Sequence, residues 1–447
     1  MLMLPLSESA YAANDPTNIG ETSVISIRQQ ESLGRSWLRD NYKRINPLND
    51  IIIQAYSEDL VKRLKQGRQL SRYNVNLVIS KNRQFNAFAL PGGVIGINLG
   101  IFLLAESEGE FASVIAHELS HLSQEHFLRR LEYSKSNNRA SLGAIFAGLA
   151  LLISGNVPLG TAAIVGTIGY QTDELLRLSR QFENEADAQA LELLDKGKFD
   201  VKEMPVMLGR LRSLGGNDQV AVYYRTHPLT ADRMNYALQR ARQYKVVTRQ
   251  LLADEYDFVH QRALFLAGRG GQYLAKKNNS DRAYTDALFL LEQSKYAQAI
   301  NLLKRVNQQH PTSRIVLYSL LDALIKGGSS NQALKLIDDS LRYNNANPTL
   351  EYYRALAYAK MEDYDKAILT MGGVTNHYLE NPDPWLQLSI YYSKVGDRYN
   401  LFRTTGVYHL LSGNRDKMQA NFQLAKREAG KDEVKIAVLQ STYARFN

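Results

Sequence analysis

The sequence predicts an α+β domain, mostly helical with a small sheet, followed by an all-α domain of tetratricopeptide repeats. Three observations carry this expectation. A His-Glu-x-x-His pattern sits inside a helical run at residues 117–121. Short β-like stretches precede it between residues 75 and 97. Toward the C-terminus, Ala299, Ala333 and Ala367 recur every 34 residues within paired helical segments.

Taken in order, residues near 22–45 and 49–65 carry helical apolar spacing with many charges. Val75, Leu77 and Ile79 fall on one face of a strand, with Val78 the apolar exception on the other. Phe85 to Ile97 reads as two short edge strands, split by the turn residues Pro91-Gly92-Gly93. The stretch from Phe88 offers an edge to which an extended peptide can add by main-chain hydrogen bonds. Ser107-x-x-Glu110 forms a capping box, and apolar spacing continues to about Leu131, predicting one long helix. A second long helix is expected from Asp173 to Leu194, and another from about Thr230 to Tyr244.

The segment from Ala140 to Tyr170 is nearly all apolar, with a break at Ser154–Gly160. Each half is shorter than the roughly 20 residues of a membrane-spanning helix. It reads either as a flap that contacts the membrane or covers substrate, or as a buried helical hairpin.

From about residue 282 the texture changes to helix pairs. The small residue at each 34-residue step is needed where neighbouring helices approach too closely for a longer side chain. Pro311, Pro348 and Pro382 punctuate the same register, which continues through Tyr399-Asn400-Leu401 and Met418-Gln419-Ala420.

Composition narrows the classes. With 447 residues, 45% hydrophobic and 22% charged, the chain is long and apolar enough for two or three folded domains. It has no cysteine, so thiol nucleophiles, disulfides and Cys-type zinc sites are excluded, and any metal must be held by His, Asp or Glu. The net charge of +9 suits contact with anionic surfaces. Its basic residues are scattered in pairs such as Arg129-Arg130, without the aromatic-interleaved patch of a nucleic-acid binder. At the start, Ala10-Tyr11-Ala12 follows an apolar run and resembles a signal-peptidase site lacking its basic leader.

The chemistry concentrates at two helices. His117 and His121 are at i and i+4, with Cβ atoms roughly 5–6 Å apart, so both imidazoles can hold one metal ion. Glu118 lies beside them, where it can take a proton from an attacking water. His126, five residues after His121, is expected to point elsewhere. A catalytic zinc takes three protein ligands, so a third is required. Glu183 and Asp187 share a helix face at i, i+4, with Glu185 off it. One of these carboxylates can bind metal, and the other can orient a His or act as an acid. Thr226-His227-Pro228 lies in a loop, where His227 can either stabilise an oxyanion or fill the open metal position. Arg233 is expected to bind Glu183, Asp187 or a substrate carboxylate, and Arg180 to be structural.

His117-Glu118-x-x-His121 with Glu183-x-x-x-Asp187, Asn86-Ala87-Phe88-Ala89-Leu90-Pro91-Gly92-Gly93 and Thr226-His227-Pro228…Arg233 together resemble the family of HtpX and the CAAX-prenyl endopeptidases. With the repeats, nearly the whole chain is similar to the family's soluble, periplasmic branch. The resemblance implies a zinc endopeptidase, with His117, His121 and Glu183 as ligands, Glu118 as general base and Asp187 as proton donor. It implies work on outer-membrane proteins: promoting maturation of β-barrels and degrading misassembled ones. The partners it implies are unfolded or misassembled outer-membrane proteins and the barrel assembly machinery; the scattered basic residues point to no nucleic acid, and the 140–170 segment leaves peripheral membrane contact as one of its readings. The rival expectation is a chaperone or assembly scaffold in which proteolysis is secondary. The division expected is 1–12 as a signal-peptide remnant, 13–250 as peptidase and 251–447 as repeats.

Overall fold

A computed structural model describes residues 26–65, 68–133, 148, 173–245, 253–271, 282–342 and 346–446. The signal-peptide expectation and nearly all of the apolar 140–170 segment lie outside the described residues, as does the junction expected at 250.

Helix α1 (Ile27–Ile45) opens on a capping box in which Ser26 and Gln29 satisfy each other's backbone amides. Helix α2 (Ile51–Leu64) is capped by the Asp50 carboxylate, and the short α3 (Arg68–Ser71) follows. Strands β1 (Asn76–Ser80), β2 (Ala87–Leu90) and β3 (Val94–Asn98) form one sheet in the order β1-β3-β2. β3 pairs parallel to β1 and antiparallel to β2. β3 is therefore central, a correction to the expectation of two edge strands; its five residues are all buried. Only β2 keeps the edge role, and α5 (Glu108–Ser123), the helix carrying the His-Glu-x-x-His motif, packs against it.

Strand alternation explains the layers. Phe88, Leu90 and Val94 face α1 through Trp37, Leu38 and Ile45, and Val78 joins them from the same side. Leu77, Ile79, Ala87, Ile95 and Ile97 face the main core with α2 and α5. The Pro91–Gly93 turn passes so close under α1 that a Cβ on Gly92 would sit 2.1 Å from the Gln30 carbonyl oxygen. Gly92 also holds φ +79°, which favours glycine.

Helix α4 (Leu99–Leu104) leads into α5. The single long helix expected here is broken: α5 ends at Ser123, Glu125 takes φ 52°, and α6 (His126–Tyr133) sets out afresh. Helix α7 (Asp173–Lys196) packs along α5; α8 (Glu203–Ser213), α9 (Ala221–Thr226) and α10 (Ala231–Ala241) close the domain.

Helix α11 (Ala253–Leu266) joins the two parts. It packs on α2 and α4 on one side and on the repeats on the other. Arg262 grips the Asp50 carboxylate at 2.7–2.9 Å, and Tyr256 donates to the Ala105 carbonyl. The repeats are helix pairs: α12 (Ala283–Glu292) with α13 (Tyr296–Gln309), α14 (Arg314–Lys326) with α15 (Ser330–Leu341), and α16 (Pro348–Lys360) with α17 (Tyr364–His377). Next come α18 (Pro382–Lys394) with α19 (Arg398–Leu411), and α20 (Arg415–Ala429) with α21 (Glu433–Ala444). Ala299, Ala333 and Ala367 are fully buried, as their spacing predicts. Pro348 and Pro382 stand at the first turn of their helices, where a missing N–H costs nothing.

The array curves until its end meets the beginning. Arg39 of α1 donates to the Phe446 carbonyl and pairs with Glu380, while Arg415 pairs with Asp40. Between the two parts lies a cavity of about 1230 Å³, walled by α1, α2 and β1 on one side and by Tyr352, Tyr364 and Tyr391 on the other. It lies on the β1 edge, away from the motif helix on the β2 edge.

Candidate metal centre and active site

The capping hydroxyl of Ser107 accepts from the Glu110 amide and starts α5. Glu110 does not close the box; its carboxylate accepts from the Glu106 amide and pairs with Arg210. Three turns further on, His117 and His121 present Nε2 atoms 3.0 Å apart. α7 brings Glu183 to them, its carboxylate oxygens 3.4 Å from each Nε2. Tyr223 of α9 anchors the fourth group: its carbonyl accepts from the His227 amide, and its ring stacks on the His227 imidazole. His227 Nδ1 lies 3.3 Å from His117 Nε2 and 3.1 Å from a Glu183 oxygen. One ligand atom from each of His117, His121, Glu183 and His227 falls within 4.8 Å of the others, a group that could hold a metal ion.

The donor chemistry fits such an ion. Three imidazole nitrogens and a carboxylate suit zinc. Burial holds His121 well below the usual imidazole pKa, which keeps a lone pair free. Burial opposes charge on His117 too, but Asp187 and Glu183 outweigh it and raise its pKa to about 10. The carboxylates thus favour positive charge here, which a divalent cation would supply. Glu183 is fully buried; burial would raise it, yet His227, His121 and Arg233 hold its carboxyl well below the usual range.

Glu118 is fully buried, and among the described residues neither carboxylate oxygen has a hydrogen-bond partner; His227 Nε2 lies 3.6 Å from one of them. Burial pushes its pKa up. An acceptor kept unsatisfied beside a metal-ligand set is what a general base needs before water and substrate arrive.

Asp187 stands behind His117, the placement expected of a carboxylate that orients a His. Oδ1 lies 2.9 Å from His117 Nδ1, and both oxygens accept from Arg233 at 2.7 and 2.9 Å. Burial would raise its pKa, but Arg233 and His117 keep it ionised. Its oxygens are thus engaged by His117 and Arg233, which places it to orient His117. Arg233 settles among its expected partners on both carboxylates, reaching Glu183 at 2.7 Å as well. The Thr230 hydroxyl caps its helix, accepting from the Arg233 amide.

Two residues that the sequence reading placed off the metal position lie outside the donor set but directly behind it. The break after α5 turns His126 back, so its Nδ1 lies 2.8 Å from His121 Nδ1. Its Nε2 lies 3.1 Å from Glu185, which also accepts from Arg129. The left-handed turn at Glu125 redirects the chain, and no residue pattern marks it.

A motif helix packed between a small sheet and α7, with a His₃Glu donor cluster beside a buried glutamate, is the arrangement of a metalloendopeptidase. Residues 48–241 match the model of Peptidase family M48, and residues 290–357 match a tetratricopeptide repeat. The chain is a metalloendopeptidase with an M48 domain followed by repeats. It is 27% identical to the putative beta-barrel assembly-enhancing protease of Vibrio cholerae, over 91% of this chain and 88% of that one. It is 26% identical to the beta-barrel assembly-enhancing protease of Escherichia coli K12, over 95% of this chain and 88% of that one. The mitochondrial metalloendopeptidase OMA1 of Schizosaccharomyces pombe is 26% identical over 40% of this chain and 50% of its own. Among the described residues, no helix is long and apolar enough to cross a membrane.

Proposed function

We propose that the chain is a zinc endopeptidase and assembly factor of the Gram-negative periplasm, acting on outer-membrane β-barrel proteins. The observation that carries the catalytic part is the convergence of four donors within 4.8 Å next to Glu118, whose carboxylate has no hydrogen-bond partner among the described residues. His117, His121 and Glu183 are the proposed zinc ligands. Zinc supplies Lewis acidity toward the scissile carbonyl and toward water. Glu118 removes the water proton and delivers it to the leaving amine. Asp187 and Arg233 hold His117 and Glu183 in register. His227 occupies the fourth position at rest and withdraws when a client arrives; its contacts to His117 and Glu183 favour this role over an oxyanion role.

The names of two relatives speak of β-barrel assembly, which supports barrel proteins as the clients; the proposal extends this to unfolded or misassembled barrel proteins, the barrel assembly machinery and peripheral contact with the membrane. The proposed division is peptidase to about residue 250 and repeats from 251, the latter recruiting clients or machinery. The position of the cavity favours a second, chaperone-like activity, since binding on the β1 edge is spatially separate from cleavage at the β2 side. The deciding experiment is complementation of barrel assembly by Glu118→Gln. Full rescue assigns assembly to binding; no rescue assigns it to cleavage.

A further inference from the structure

We propose that His126 and Glu185 are a positioning pair that fixes the proton of His121 and so sets the strength of the metal site. The inference rests on the reading of His121 as a ligand through Nε2. With Nε2 lending its lone pair to the metal, the neutral ring carries its proton on Nδ1. That nitrogen faces His126 Nδ1 at 2.8 Å, so His126 must accept there. His126 therefore carries its own proton on Nε2, which faces Glu185 at 3.1 Å. Each donor meets an acceptor, and the direction of the chain is determined from the carboxylate to the metal position.

The surroundings hold the pair still. His126 is buried, and its ring stacks on Phe182 of α7 with centroids 4.6 Å apart and planes 17° apart. Arg129 covers the other side of that pair's acceptor, donating to Glu185 at 2.7 Å and lying over the Phe182 ring. His117 is backed by a carboxylate directly, through Asp187. His121 reaches its carboxylate through one more imidazole. Both ligands of the motif helix are thus oriented from behind, a feature that raises ligand basicity and prevents ring rotation.

The test is zinc affinity by chelator competition on the full chain, with folding followed by circular dichroism. His126→Ala is expected to weaken zinc about 10- to 100-fold. His126→Asn is expected to restore most of it, because its Oδ1 stands where Nδ1 accepts. Glu185→Ala, which leaves the ring in place, is expected to weaken zinc less than His126→Ala and serves if that variant does not fold. Unchanged affinity in His126→Ala or in Glu185→Ala overturns the proposal, as does an Asn variant no better than Ala. His121→Ala separates the two readings: retained zinc there overturns the ligand assignment, while lost zinc there with tight zinc in His126→Ala overturns the pair alone.

Discussion

Arg233 holds Asp187 through two hydrogen bonds, at 2.7 and 2.9 Å, in a site where both side chains are almost completely buried. A third nitrogen reaches Glu183. One guanidinium thereby ties the residue behind His117 to the acidic member of the donor set. Replacing Arg233 by Met leaves two buried carboxylates without their cation. The expected loss is about 3–5 kcal/mol of stability. Urea denaturation with and without chelator checks it, and zinc restores part of the loss by supplying charge at the same place.

Glu118→Gln preserves volume and removes the base. Cleavage of an unfolded substrate is expected to fall about 10²- to 10⁴-fold, with metal content and melting temperature unchanged. Wild-type turnover in this variant contradicts the mechanism.

His227→Ala is expected to raise basal proteolysis of a generic unfolded protein, because the fourth donor no longer competes with water and carbonyl. Initial rates with casein, at matched zinc content, provide the measurement. Equal rates refute the covering role, and a lost rate with intact zinc assigns His227 to the oxyanion instead.

Glu185 gives a pH dependence. Burial would raise its carboxyl, but bonds from His126, Arg129 and Gln181 lower it from 4.5 to about 2. A depressed folded pKa means the stabilisation is present above pH 4.5 and is lost as pH falls toward 2. Wild type should therefore lose roughly 1–2 kcal/mol more than Glu185→Gln across that window, allowing for solvent screening. Denaturation midpoints from pH 5 down to the lowest pH at which both fold are the readout; parallel curves contradict the assignment.

The repeat fragment 251–447 is expected to unfold cooperatively alone, because each helix pair packs mainly on its neighbours. Its midpoint should lie below that of the full chain, since Val259, Phe258 and Ile315 belong to a core continuous with the peptidase. A fragment without a cooperative transition refutes the proposed boundary.

The sequence made the motif helix, α7 and the repeats legible because each depends on spacing along a regular element. His117 and His121, Glu183 and Asp187, and the three alanines all lie at fixed helical or repeat intervals. What depends on a change of direction was not legible. The place of β3 at the sheet centre follows from pairing rather than from composition, since a short buried strand and an edge strand carry similar residues. His126 lies outside the donor set, but its contact with His121 was not legible, because Glu125 turns the chain between two helices where a continuous helix was read. The roles of Glu183 and Asp187 stayed open for a related reason: i, i+4 spacing places two carboxylates on one face but does not say which of them meets Arg233 twice.

The closure of the array upon α1 constrains the order of events during biogenesis. The bonds from Arg39 to Phe446 and Glu380, and from Arg415 to Asp40, span 407, 341 and 375 residues of sequence. A chain made or exported N-terminus first can seat Trp37 on the sheet early, yet the outward face of that helix has nothing to grip until the final helices emerge. Contacts of such long separation form late. Until the segment from Glu380 to Phe446 is in place, Arg39 and Asp40 lack these partners, so this closure is expected to follow the packing of Trp37 on the sheet.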